Sequence, residues 1–147
     1  MVNGRQKGAT YERTVAKNLE AELGIKFSRI LEQTREADLG DLQPEDPDFP
    51  FIIECKRYKQ GSSHATPSHW TQACRAGEKA GKLPALVYKY DRLPERWRIP
   101  VEALARLRSY VPQQNEDQYS WKHAVELSFE DFCMIARELM CDASQAD

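Results

Sequence analysis

The chain lacks the features of a membrane, secreted or metal-stapled protein. No apolar run approaches the roughly 20 residues of a bilayer span, and mean hydropathy is -0.70. No apolar stretch follows the opening Met1-Val2-Asn3-Gly4-Arg5-Gln6-Lys7, so no secretory signal is visible. A soluble protein in the cytoplasm of a bacterial or phage-infected cell is the expectation. The four cysteines, Cys55, Cys74, Cys133 and Cys141, form no CxxC pair and none sits beside a histidine at a zinc-like interval. Reduced, mostly buried thiols follow. No internal repeat and no second domain is apparent, so the 147 residues read as one domain.

No charge of either sign dominates: 21 basic residues face 23 acidic ones. The distribution is nonetheless uneven. Residues 1–36 carry +2, residues 37–50 carry -5, residues 51–113 carry +7 and residues 114–147 carry -6. A compact acidic cluster beside a basic middle suits a metal-assisted enzyme on a polyanion better than a passive basic DNA-binding module.

The apolar pattern predicts ten elements in the order α-β-β-β-α-β-β-α-β-α. Tyr11, Val15, Leu19 and Leu23 repeat every four residues, giving a helix over 11–23 capped by Thr10 and stopped by Gly24. Strands follow at 25–31, near Asp41 and at 51–57, the last two separated by a proline-rich loop at 43–50. Residues 60–68 are polar and read as a lid or substrate-contacting loop. Ser68 then caps a helix over 69–80, ended by Gly81. Residues 84–90 form a strand. Residues 97–101 form another, which Pro100 assigns to a sheet edge. A helix over 101–110, a loop over 112–119, a strand over 121–127 and a final helix capped by Ser128 complete the chain. An early meander followed by an α-β crossover predicts an α/β fold, with a central mixed sheet flanked by helices. The core spans about 5–110, and a strand-helix extension covers about 114–147. That extension covers a sheet edge or makes a dimer contact.

Strand 51–57 carries the chemistry. Side chains alternate across a strand, so Glu54 and Lys56 share one face and Cys55 takes the other. A carboxylate and an ammonium at one spot suit phosphodiester hydrolysis: the acid holds a divalent metal and the amine orients water or offsets phosphate charge. Glu12 lies on the first helix, where the helix dipole alone would also favour a carboxylate. Asp41 precedes Glu54 by 13 residues, with Asp38 as a rival. The apolar Leu42 after Asp41 fits the start of a strand and favours Asp41. Asp46 and Asp48 read as solvated loop acids.

These pieces together resemble the PD-(D/E)xK nuclease superfamily. Gly8-Ala9-Thr10-Tyr11-Glu12-Arg13 is similar to the first-helix motif of small archaeal-type Holliday junction resolvases. Gly40-Asp41-Leu42 resembles the metal-binding aspartate, with Gly40 where the superfamily's nominal proline would stand. Ile53-Glu54-Cys55-Lys56 resembles the ExK strand. Trp70-Thr71-Gln72-Ala73 resembles the following helix of small phage and bacterial nucleases. The resemblance covers about residues 5–100. It implies a restriction-endonuclease-like αβββαβ core and Mg²⁺-dependent DNA hydrolysis, with Mn²⁺ able to substitute. Asp41 and Glu54 would be direct ligands, and Glu12 a direct or water-mediated one. Lys56 would act on the water or the transition state. Arg57, Lys59, Gln72, Arg75 and Lys79 are the candidate DNA contacts, and His64 and His69 read chiefly as solvent-facing loop residues. A homodimer cutting branched DNA in recombination or repair is one implied function. A sequence-specific or single-strand-directed phage nuclease is another. A non-catalytic nucleic-acid-binding or assembly protein on the same fold is the alternative from outside enzymes.

Overall fold

A computed structural model describes residues 4–31, 39–59, 64–107 and 121–145. The helices are α1 (Gly4–Leu23), α2 (Pro67–Ala80), α3 (Val101–Arg106) and α4 (Phe129–Gln145). The strands are β1 (Phe27–Arg29), β2 (Leu42–Pro44), β3 (Phe51–Tyr58), β4 (Leu83–Tyr90), β5 (Arg96–Pro100) and β6 (Ala124–Leu127). They form one six-stranded sheet in the order β1-β2-β3-β4-β5-β6. Only β3 and β4 run parallel, paired from Phe51↔Leu83 to Tyr58↔Tyr90. A parallel pair needs a long crossover, and α2 supplies it.

The sheet has a helix layer on each face. Phe51, Ile53 and Cys55 of β3 and Leu83, Ala85 and Val87 of β4 point into the larger core, which α1 and α4 close. Tyr11, Val15 and Leu19 bury the expected stripe of α1 there. Phe132 of α4 stacks on Trp97 with ring centroids 4.1 Å apart. On the opposite face, Trp70 and Ala73 of α2 pack on Leu86, Tyr88 and Tyr90. Gly77 lets α2 close down: a Cβ there would lie 2.8 Å from the Lys82 carbonyl oxygen.

Four expectations need correction. Helix α1 begins at Gly4, well before Thr10, because Gln6, Lys7 and Ala9 are good helix formers and continue the turn pattern. Helix α2 begins at Pro67 after Thr66, so Ser68 lies inside it; Pro at the first helical position loses no hydrogen bond. Strand β5 is internal, between β4 and β6, because Pro100 is its last residue and its ring falls where the strand turns into α3. The proline loop loses its first two residues to β2. The expected turn at 112–119 lies outside the described residues.

The other caps hold. Gly24 adopts the left-handed conformation with φ 71°, and its N–H donates to the Glu20 carbonyl at 2.8 Å. Ser128 Oγ accepts from the Asp131 amide at 3.1 Å. The C-terminal extension covers a sheet edge: β6 pairs with β5 from Trp97↔Leu127 to Pro100↔Ala124. Arg98 fastens it, 3.1 Å from Glu126 Oε1 and 3.6 Å from the centre of the Trp121 ring.

Candidate active site

The geometry of the carboxylates begins with a turn. Gly40 has φ 87°, and a Cβ on it would come within 2.8 Å of Ile52 Cγ1. Glycine is therefore required on two counts, and the fixed negative φ of proline is excluded. This explains the departure from the superfamily's nominal proline. Asp41 follows, immediately before β2. Its amide donates to the Ile53 carbonyl and its carbonyl accepts from Ile30, both at 2.9 Å. The Asp41 carboxylate accepts from the Cys55 amide through Oδ2 at 2.7 Å. Asp41 is thus locked across from Glu54, while its neighbour Leu42 is fully buried. Asp38 lies outside the described residues.

Glu54 is only 1% exposed. Neither of its buried oxygens has a hydrogen bond of good geometry. Lys56 Nζ stands 3.3 Å from Oε1, too little to compensate a buried carboxylate. Burial, and then the Asp41 charge, push the Glu54 carboxyl up to about 8, against the pull of Lys56. Cys55 faces the other way into the core, its thiol raised chiefly by burial, as the alternation requires.

Glu12 sits in the third turn of α1, not the first, so the helix dipole does not account for it. Its Oε2 accepts from Arg29 Nε at 2.7 Å. Burial raises its carboxyl, the Arg29 hydrogen bond opposes this, and the charges of Asp41 and Lys56 are both felt there. Glu12, Asp41, Glu54 and Lys56 therefore form one electrostatic group. Among the described residues, however, no three His, Cys, Asp or Glu side chains converge tightly enough to enclose an ion. The fit to a metal rests on Glu54: buried carboxyl oxygens without a well-formed hydrogen bond, next to a second carboxylate, offer the hard oxygen donors that Mg²⁺ takes.

The expected DNA contacts divide. Arg57 is held inside the fold: Nη1 donates to the Tyr58 and Lys89 carbonyls, each at 2.9 Å, and Nη2 lies 2.6 Å from Asp91. Its guanidinium braces the β3–β4 end instead of reaching outward. Lys59 is exposed just past β3. Gln72, Arg75 and Lys79 fall on one stripe of α2 by helical spacing; Gln72 is half-buried and the other two are exposed. Lys79 lines a cavity of about 270 Å³ with Ile52 and Leu39, on the face that carries Glu54. A cavity of about 400 Å³ between the 47–50 loop and α2 is lined by none of the candidate residues.

Two groups went unread in the sequence. Arg29, which holds Glu12, looked like one more alternating residue of a short strand. Asp91 and Glu95, in the β4–β5 turn, clamp α1: Lys7 donates to Asp91 at 3.1 Å and Tyr11 to Glu95 at 2.7 Å. Each partner lies 84 residues from its mate, beyond any local pattern. The histidines also differ from a pair of loop residues. The His64 side chain is exposed, and its carbonyl accepts from Tyr90. His69 lies in the first turn of α2, bonded to Tyr58 and Thr66.

Comparison with known proteins bears on the family and the fold. The family profile described as "Phage putative PDDEXK endonuclease" matches residues 3–142. Among solved structures, Hjc from Archaeoglobus fulgidus, a Holliday junction resolvase from an archaeal hyperthermophile, superposes with a TM-score of 0.56 at 14% identity. The match covers 88% of this chain and 98% of that one. At that identity the likeness is one of fold. No curated protein sequence matches.

Proposed function

Because this chain belongs to the family of phage PDDEXK endonucleases, we propose that it is a divalent-metal-dependent DNA endonuclease that works through Asp41, Glu54, Lys56 and Glu12. The observation that carries this reading is Glu54. A carboxyl buried to 1% exposure, its oxygens without a well-formed hydrogen bond and only Lys56 Nζ within ion-pair reach, would gain from a further cation held between it and Asp41. Bound there, Mg²⁺ or Mn²⁺ would supply Lewis acidity toward the phosphate and a water of lowered pKa. Asp41 and Glu54 would hold that ion, with Asp41 oriented by the Cys55 amide. Glu12, steadied by Arg29, accepts a hydrogen bond from water on the same side. Lys56 offsets the charge that builds on the scissile phosphate. Lys59, Gln72, Arg75 and Lys79 meet the flanking backbone.

Branched DNA is the proposed substrate, and a homodimer in the cytoplasm of a bacterial or phage-infected cell the proposed form. Both draw on the fold shared with a junction resolvase, which symmetric nicking would require to act in pairs. The test is a panel of labelled duplex, single-stranded, flap and four-way-junction DNAs. The protein is bound to each in chelator and then given Mg²⁺. Nicked junctions support the whole reading. Equal cutting of every duplex keeps the nuclease and discards the junction preference. Tight complexes with no product in Mg²⁺ or Mn²⁺ would make the protein a binding module on a nuclease fold.

A further inference from the structure

Beside the carboxylate pair, on the same face of the sheet, lies the cavity of about 270 Å³. Its floor is Ile52, 3% exposed. Ile52 stands two residues before Glu54, so the two side chains point the same way about 7 Å apart along β3. The walls are built by the neighbours of Asp41. Ile30 lines the cavity, and its amide is the one that donates to the Asp41 carbonyl. Leu39 lines it from just before the Gly40 turn. Gln43 lines it from two residues beyond Asp41. Leu42 pairs with Ile53 in antiparallel register, which sets Gln43 beside Ile52. The far wall is the C-terminal end of α2 and the residues after it, with Lys79 and Lys82. Lys82 Nζ is fixed there by donating to the Pro47 carbonyl at 2.9 Å and to the Phe49 carbonyl.

That lining selects its occupant. A bare phosphate or a metal ion would leave the three aliphatic side chains unused, whereas a flat apolar ring buries them. The exposed Gln43 amide offers both a donor and an acceptor, which matches the edge of a nucleobase. Two ammonium groups, with no carboxylate among the described lining residues, favour a group attached to a polyanion. The volume lies just under the roughly 300–1,000 Å³ of sites for drug-sized ligands, which suits a single heterocycle.

We infer that this cavity is the subsite for one unstacked nucleobase next to the scissile phosphate. The base lies on Ile30, Leu39 and Ile52, its edge meets the Gln43 amide, and Lys79 meets its phosphate. The position of the cut rests on the nuclease reading; the ligand does not. A base inside a continuous duplex is paired and stacked, while a bulge or a branch point delivers one at small unstacking cost. The subsite thereby directs the protein to interruptions of the duplex.

Two labelled duplexes test this with the full chain. One carries a single unpaired nucleotide, and the other carries the same nucleotide without its base. Affinity is read in chelator, and the position of the cut after Mg²⁺ is added. Wild type should bind the first roughly 10-fold tighter than the second, the scale of one well-made base contact, and should cut at a phosphate adjoining the unpaired nucleotide. Gln43→Leu, which keeps the bulk and removes the amide, should shrink that ratio. Ala80→Trp, which fills the cavity from its exposed helical rim, should abolish it. Each ratio is taken within one variant, so a general loss of fold or of backbone affinity cancels. Equal wild-type affinity for the two duplexes overturns the inference, and that comparison needs no substitution. An unchanged ratio in Ala80→Trp also overturns it; if the sedimentation mass then changes, the cavity is a contact between copies of the chain. Base-dependent binding with no cutting in Mg²⁺ or Mn²⁺ would sink the nuclease reading and leave the subsite. Binding and cutting that both ignore the base would keep the nuclease and discard the subsite.

Discussion

At the scale of the residue, Glu54 decides most. Without metal its carboxyl is raised to about 8 by burial and Asp41, whereas an unfolded chain releases the same proton near the ordinary glutamate value. The folded protein then holds a proton that the unfolded chain has lost. That contribution to stability is complete at acid pH and disappears as pH rises through about 8. Thermal melts in chelator should therefore fall between about pH 4.5 and about pH 8 and level off above that. Glu54→Gln should flatten the profile, and Mg²⁺ should stabilise the wild type most at the alkaline end. A flat wild-type profile would mean that Glu54 is already ionised. Lys56 has a separate expectation. Lys56→Ala should lose roughly 10²–10³ in single-turnover rate, the scale of one preorganised stabilising group, with little change in the Mg²⁺ midpoint. Near-normal turnover would return Lys56 to a strand-end lysine paired with Glu54. The shared face of Glu54 and Lys56 was legible because alternation in a strand is rigid. The burial of Glu54 was not, since it depends on how distant parts of the chain, Asp41 among them, pack beside β3.

At the scale of the element, all ten predicted segments exist in the predicted order, because turn residues and apolar periods agree along most of the chain. Their ends are where the sequence misled. Thr10 looks like a cap, but its carbonyl accepts from Thr14 Oγ1 at 3.0 Å, inside a helix. Pro100 looks like an edge marker, yet it closes an internal strand. Gly40 is the element-scale control on the site. Its positive φ and its contact with Ile52 both oppose a side chain. Gly40→Ala should cost about 1–3 kcal/mol in urea unfolding and reduce cleavage further by displacing Asp41. An alanine variant as stable and active as wild type would show that the turn does not set the aspartate.

At the scale of the whole molecule, the C-terminal segment that carries -6 has a structural job. It adds β6 to the edge of β5 and lays Phe132, Cys133 and Ala136 of α4 into the main core at 0% exposure. A chain ended before Trp121 uncovers Trp97, Ile99 and a bare strand edge, and should aggregate or lose cooperative melting. A truncated chain that melts like the full one would make the extension an ornament. Charge segregation was legible at this scale, but the clamps that join distant parts were not. Lys7–Asp91 and Tyr11–Glu95 fix α1, and with it Glu12, against the β4–β5 turn across most of the chain. Only the folded sheet order brings them together.

The most direct measurement follows nicking of a labelled four-way junction under single-turnover conditions with Mg²⁺. Wild type is compared with Asp41→Asn, Glu54→Gln and Asp38→Asn at matched DNA occupancy. If Asp41 and Glu54 hold the metal, those two variants remain folded, bind DNA and yield no product above background, while Asp38→Asn cuts at the wild-type rate. Wild-type cutting by both the Asp41 and Glu54 variants would contradict the site.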